Sequence, residues 1–250
     1  MASRPAPPSM STSLSVLVPA LNEAEHLHTT VTGLVRVLEP AVANFEVVIV
    51  DDGSTDDTAV VAERLAASDS RVRMLRNERN MGLGYSYLRG VREATQSHFV
   101  YVPGDNSWPE ASIAEILRHL GRADVITSYA TNPEVRVGYR RFISSLYTRL
   151  LNLLFGFSMR YYNGLTIYPR EFLLARPATT WGFGFQAQTL LNALDSGLSV
   201  VEVGARIDES AGSNSRALTM RNVLSVLKTV CVTYWMLRLA PRRVSDVHPA

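Results

Sequence analysis

Two acids stand side by side in "VVIVDDGST", Asp51 and Asp52, at the end of an apolar, β-branched run. A lone aspartate, Asp105, closes a second such run in "YVPGDNSW". Adjacent carboxylates repel unless a hydrogen-bond donor or a cation stands between them. A ribose hydroxyl or a base N–H supplies the first; a divalent metal supplies the second. Many nucleotide-using enzymes place two carboxylates at such a strand end, but here the position two before Asp105 is Pro103. Mg²⁺ often takes one or two protein carboxylates and completes its shell with phosphate oxygens and water. Gly104-Asp105-Asn106 therefore suffices as a metal site when a diphosphate arrives, and Asn106 offers a further amide oxygen. The competing reading is that both stretches are only turns and helix caps, work for which Asp, Gly, Ser and Asn are equally suited.

Alternating strand and helix patterns must position these acids. Residues 14–18, 45–50, 72–75 and 98–102 read as buried strands. Asn22 reads as the N-cap of a helix with Glu23 and Glu25 in its first turn, and Pro40 ends it. Helices are expected over 55–67 and after the glycine loop of "NMGLGYSYLRGV", with Gly82 and Gly84. This alternation predicts an α/β fold with a mostly parallel central sheet and helices on both faces. Ligands of such sheets sit outside the carboxyl ends of the strands. Residues 19–23, 51–54, 82–84 and Asp105 all fall there. Beyond residue 110 the pattern is looser: helices over 111–120, 135–157 and 183–196, strands over 124–128, 165–168 and 199–203.

Bulk composition narrows the class. The chain has 250 residues, 46% hydrophobic and 19% charged, which suits one folded domain with a sizeable core. A net charge of +2 carries no global nucleic-acid signature. The single cysteine, Cys231, excludes an internal disulfide and a cysteine zinc cluster. Residues 1–12 are expected to be a disordered tail without a signal-peptide core. No stretch is long and charge-free enough for a confident transmembrane helix. There is no G-x-G-x-x-G after the first strand, so a nicotinamide or flavin site is not expected.

Taken in order, "VLVPALNEAEHL", "VVIVDDGSTDDT" and "NMGLGYSYLRGV" resemble a family 2 glycosyltransferase with the GT-A fold. In pattern the chain is nearest the dolichol-phosphate mannose synthases and related polyprenyl-phosphate glycosyltransferases. The resemblance runs from about residue 14 to about 226 and implies a UDP- or GDP-sugar donor and a Mg²⁺ or Mn²⁺ ion on Asp105. It places Pro19, Leu21 and Glu23 in the nucleotide pocket, with Val50, Asp51 and Asp52 beside them. It lets the Gly82/Gly84 loop approach the donor, and sets Gly104 in the metal turn. The family's Asp-x-Asp has kept only its second aspartate here.

The acceptor side follows from what is missing. An alcohol acceptor needs a general base. Where family members with sugar acceptors carry a Glu-Asp pair, this chain reads "WGFGFQAQTLL", with Gln186 and Gln188 and no acid. A phosphate acceptor is already an anionic nucleophile and needs cations instead. The resemblance offers Arg140, Arg141 and Arg216 for that role, although the family's Ser-Arg pair reads Ser144-Ser145. Residues 146–157 and 223–239 are apolar with basic residues, an interfacial pattern, and equally the pattern of core or dimer helices. The expectation is an inverting, metal-dependent transferase to a polyprenyl phosphate, cytoplasmic and peripheral at a membrane face, with a homo-oligomer allowed. Two alternatives stand: a soluble hydroxyl acceptor with Asp208 or Glu209 as base, and a non-catalytic nucleotide-sugar-binding protein. The expected division is a tail at 1–12, the transferase domain at 13–216, and an amphipathic helix and tail at 217–250.

Overall fold

The computed structural model describes residues 12–135, 138–182, 184–208 and 220–240. Residues 1–11 of the expected tail, Arg216, Glu209 and the boundary at 216/217 lie outside the described residues. Seven strands form one sheet in the order β3-β2-β1-β4-β6-β5-β7. They are β1 (Ser13–Ala20), β2 (Asn44–Asp51), β3 (Val72–Arg76), β4 (His98–Tyr101), β5 (Val125–Ala130), β6 (Thr166–Pro169) and β7 (Val200–Ala205). Only β6 runs antiparallel to its neighbours, β4 and β5. The helices are α1 (Leu27–Leu38), α2 (Thr58–Ser68), α3 (Leu83–Glu93), α4 (Glu110–Leu117), α5 (Gly138–Phe155), α6 (Arg170–Ala175), α7 (Phe185–Asp195) and α8 (Met220–Tyr234).

Alternation along the strands builds a core on each face of the sheet. Leu14, Val16 and Val18 of β1 pack with Val47 and Ile49 of β2 against α1, α2 and α4. Leu17, Val48 and Val50 face the opposite way, toward Tyr87 and Val91 of α3 and Phe185 and Leu190 of α7. This period of two is what a strand imposes on its side chains. Gly90 marks a close approach: a Cβ there would lie 2.7 Å from Leu17 Cδ1.

Several sequence expectations are corrected. Asn22 does not cap α1; the helix begins at Leu27, with His26 at the cap position and no acid in its first turn. Asn22 instead adopts φ 57°, in the left-handed region that asparagine tolerates. The helix expected from residue 55 begins at Thr58, and the one expected over 135–157 spans Gly138–Phe155. The short helix α6 had no signal, because Pro169 and six residues between a strand and a loop carry too little periodicity.

Glu46 fastens the far end of the sheet. It is buried in β2, where Oε1 accepts from Ser15 Oγ (2.6 Å), Thr95 N (2.6 Å) and Thr95 Oγ1 (2.8 Å). Arg73 Nε of β3 donates to Oε2 at 2.9 Å. Burial by itself pushes this carboxyl up. The bonds from Ser15, the Thr95 amide and hydroxyl, and Arg73 outweigh it and hold the group below its ordinary 4.5. A carboxyl whose folded pKa is depressed contributes stability that is full above the unfolded value and is lost as pH falls through the folded one. Glu46→Gln is therefore expected to cost about 2 kcal/mol at neutral pH. Urea melts should show that gap closing as pH drops below 4.5; a gap independent of pH would refute the charge assignment.

Candidate active site

The carboxyl-end edge of the sheet is built from turns bolted to one another. After β1, Asn22 N donates to Ser54 Oγ (3.0 Å), and Asn22 Oδ1 accepts from Thr55 N (2.9 Å). Glu23 N donates to Thr58 Oγ1 at 2.8 Å. The β1–α1 and β2–α2 turns thus form one rigid ledge. Pro19 is half-buried and Leu21 is exposed along it.

Asp51 and Asp52 serve that ledge from beneath. Asp51 is fully buried; its Oδ1 accepts from Ser54 N at 2.9 Å. Arg76 Nε stands 3.2 Å from Oδ2, close enough for an ion pair but without hydrogen-bond geometry, so Oδ2 has no hydrogen-bond donor. Asp52 is saturated: Oδ1 accepts from Asn77 Nδ2 (2.6 Å) and Met81 N (2.9 Å), and Oδ2 from Gly82 N (2.8 Å). The repulsion between adjacent acids is answered from within the chain, by Arg76 on one side and the glycine loop on the other. Val50 is fully buried in the core below, so its side chain packs rather than lines a surface.

Two glycines are forced by this arrangement. Gly53 has φ 75°, and a Cβ there would sit 2.4 Å from the Arg79 carbonyl carbon. Gly84 lies against the backbone of Trp181, where a Cβ would meet the carbonyl oxygen at 2.5 Å. Gly82 has φ 90° and precedes α3 at its N-cap position.

The Asp105 turn docks on β1. Gly104 N donates to Pro19 O (3.3 Å), and Thr30 Oγ1 of α1 donates to Gly104 O (3.1 Å). Asn106 takes φ 57°. Asp105 Oδ1 accepts from Ser107 N at 3.0 Å, and the side chain remains partly exposed. Glu23 is nearby: burial raises its carboxyl above the ordinary value, and the Asp105 carboxylate raises it further. The two acids thus feel each other across the turns after β1 and β4. Sequence spacing gave no sign of this, because 82 positions separate the two acids. Among the described residues no group of three or more His, Cys, Asp or Glu side chains gathers to hold a metal. A cation on Asp105 would draw its other ligands from a donor diphosphate and water, which suits Mg²⁺ or Mn²⁺.

On the other side, Asp208 N donates to Ser107 O at 2.9 Å, so the chain leaving β7 runs beside the Asp105 turn. Burial, then Tyr161, then Asp105 push the Tyr101 hydroxyl up, which brings "YYNG" into the electrostatic reach of this edge. Gly164 permits that segment to lie on β5: a Cβ would be 1.8 Å from Ser128 O. Among the described residues of the second half, the buried Ser128 Oγ, Asn163 Oδ1 and Arg140 Nε have no hydrogen-bond partner. Arg140 and Arg141 both lie in the first turn of α5; Arg141 is exposed.

The fold and this edge define a GT-A glycosyltransferase architecture. The model of the family "Glycosyl transferase family 2" matches residues 15–176, and the chain belongs to that family. It is 28% identical over 240 residues to Glycosyltransferase AglD of Haloferax volcanii, covering 92% of this chain and 38% of that protein. It is 32% identical over 104 residues to a dolichol-phosphate mannosyltransferase of Pyrococcus furiosus, covering 42% of this chain and 29% of that one. The chain thus spans well under half the length of these relatives. Among solved structures, glucosyl-3-phosphoglycerate synthase from Mycobacterium tuberculosis with Mn²⁺, UDP and phosphoglyceric acid is similar at a TM-score of 0.68. The identity there is 18%, over 93% of this chain and 84% of that one.

Proposed function

We propose that the chain moves a sugar from a UDP- or GDP-sugar to the phosphate of a polyprenyl lipid. The acceptor phosphate oxygen attacks the anomeric carbon. The bond from that carbon to the donor diphosphate breaks on the opposite face, with its electron pair leaving on the nucleoside diphosphate, so the sugar inverts. Asp105, with Glu23 beside it, would hold Mg²⁺ or Mn²⁺, which supplies charge neutralisation for the departing diphosphate. Asp51 and Asp52 anchor the nucleoside through the ledge and glycine loop they fasten. Arg140 holds the acceptor phosphate, with Arg141 and Arg216 as further phosphate contacts.

Arg140 carries this reading. A guanidinium is always charged, and a buried donor without a partner costs about 1–3 kcal/mol. Its Nε is buried, has no partner, and sits at the start of the helix that follows β5. An anion would pair with the remaining N–H groups of this half-buried guanidinium. Membrane access is supported by α5 and α8, which contain no Asp or Glu. α5 exposes Phe142, Leu146 and Leu153, and α8 exposes Leu224, Leu227 and, just beyond it, Trp235. Such cationic, apolar faces suit attachment at an anionic membrane surface. No described helix is long and apolar enough to cross one.

Arg140→Ala is expected to lower transfer to a polyprenyl phosphate about 100-fold while UDP or GDP affinity stays within twofold. Steady-state kinetics beside nucleotide titration checks this; parallel loss of nucleotide binding would refute the assignment. A second reading, a hydroxyl acceptor with Asp208 as base, is favoured by the bond from Asp208 N to Ser107 O. Turnover with a soluble sugar alcohol in the absence of lipid would select it.

A further inference from the structure

Beside the glycine loop, where Trp181 lies against Gly84, a hollow of about 350 Å³ opens between the segment before α7 and the flank of α8. Thr180, Trp181, Gly182, Ser225, Lys228 and Thr229 line it, and no acid does. Lys228 is exposed and makes no ion pair among the described residues. Thr229 Oγ1 gives its one proton to Ser225 O (2.9 Å), so Thr180 Oγ1, which accepts from Gly182 N (3.3 Å), donates its own across the 3.1 Å contact to Thr229 Oγ1. Ser225 Oγ makes no hydrogen bond among the described residues. Gly182 lets the loop close on the helix: a Cβ there would lie 2.3 Å from Ser225 Oγ.

One ammonium, one uncommitted hydroxyl and no acid among the lining residues make a complement for an anionic oxygen. We propose that this hollow binds a single phosphate group, separately from the donor and acceptor phosphates at the Asp105 edge. Trp181, 57% exposed, forms one wall, and Leu224, Leu227 and Val232 are exposed on the helix that forms the other. A phosphate esterified to an apolar body therefore meets its head group inside and its apolar part along the rim. The same chemistry comes from a phospholipid head group or from a soluble phosphate monoester. Only the lipid source rests on the membrane part of the function proposed above.

The test compares the wild-type chain with Lys228→Gln and Ser225→Ala. Glycerol 1-phosphate is titrated by tryptophan fluorescence, with Trp181→Phe identifying the reporting ring. Flotation is measured on phosphatidylcholine vesicles with and without phosphatidylglycerol. Nucleotide titration serves as the folding control and is expected to be unchanged. The proposal expects saturable binding of at least one probe, weakened about tenfold by either substitution. Anionic vesicles bound equally by wild type and both variants would overturn the hollow and leave membrane attachment standing. Binding of glycerol 1-phosphate that the variants lose, with no flotation, would sustain the hollow and overturn membrane attachment. No binding of either probe by the wild type overturns the proposal.

Discussion

Asp105→Ala is expected to reduce sugar transfer by about 1,000-fold or more, the scale on which a preorganised electrostatic contact to a transition state acts. The fold should survive, because the side chain makes one hydrogen bond, to Ser107 N at 3.0 Å, worth about 1 kcal/mol. The same substitution should abolish any tightening of UDP or GDP binding by Mn²⁺, since Glu23 alone cannot replace the lost carboxylate. Calorimetric titration of each nucleotide with and without Mn²⁺ reads this without turnover. Near-normal activity would remove the metal from Asp105. Nucleotide binding indifferent to metal in the wild type would move the non-catalytic reading to the front.

Asp52→Ala should be the most damaging change away from the reacting atoms. Three donors converge on this carboxylate, from Asn77, Met81 and Gly82. Asn77 is itself buried and donates to Ser86 Oγ at 2.9 Å. Removing the acceptor strands the buried Asn77 amide and two part-buried backbone N–H groups, so a loss of about 3 kcal/mol is expected. The glycine loop then loses its anchor, and nucleotide affinity should fall about 100-fold even under conditions where the chain stays folded. Asp52→Asn should lie between, since an amide keeps one acceptor oxygen but turns N–H groups toward the other donors. Thermal melts paired with nucleotide titration separate the two effects. Wild-type nucleotide affinity in a folded Asp52→Ala would show that the loop needs no anchor.

Much of the first half was legible because its signals are local. Apolar β-branched runs ending in Pro19, Asp51 and Asp105 mark strands and their carboxyl ends, and the parallel α/β sheet follows from their alternation with helices. Asn22 was misread for a physical reason. Asparagine suits both a helix cap and a left-handed turn, and its side chain was claimed by Thr55 across the sheet edge. The two acids at 51–52 suggested an open cation or ribose site. Which donors satisfy them was not readable, because Arg76, Asn77 and Gly82 arrive from later strands and loops.

By itself, the sequence determined the family, the sheet-edge turns and the single carboxylate left by Pro103, since each depends on residue type at short range. Only the tertiary structure decided that Glu23 stands by Asp105, that Asp52 is spent on holding a loop, and that Arg140 Nε is buried without a partner. Charge, burial and hydrogen-bond satisfaction are sums over neighbours, and those neighbours come together only when distant segments pack.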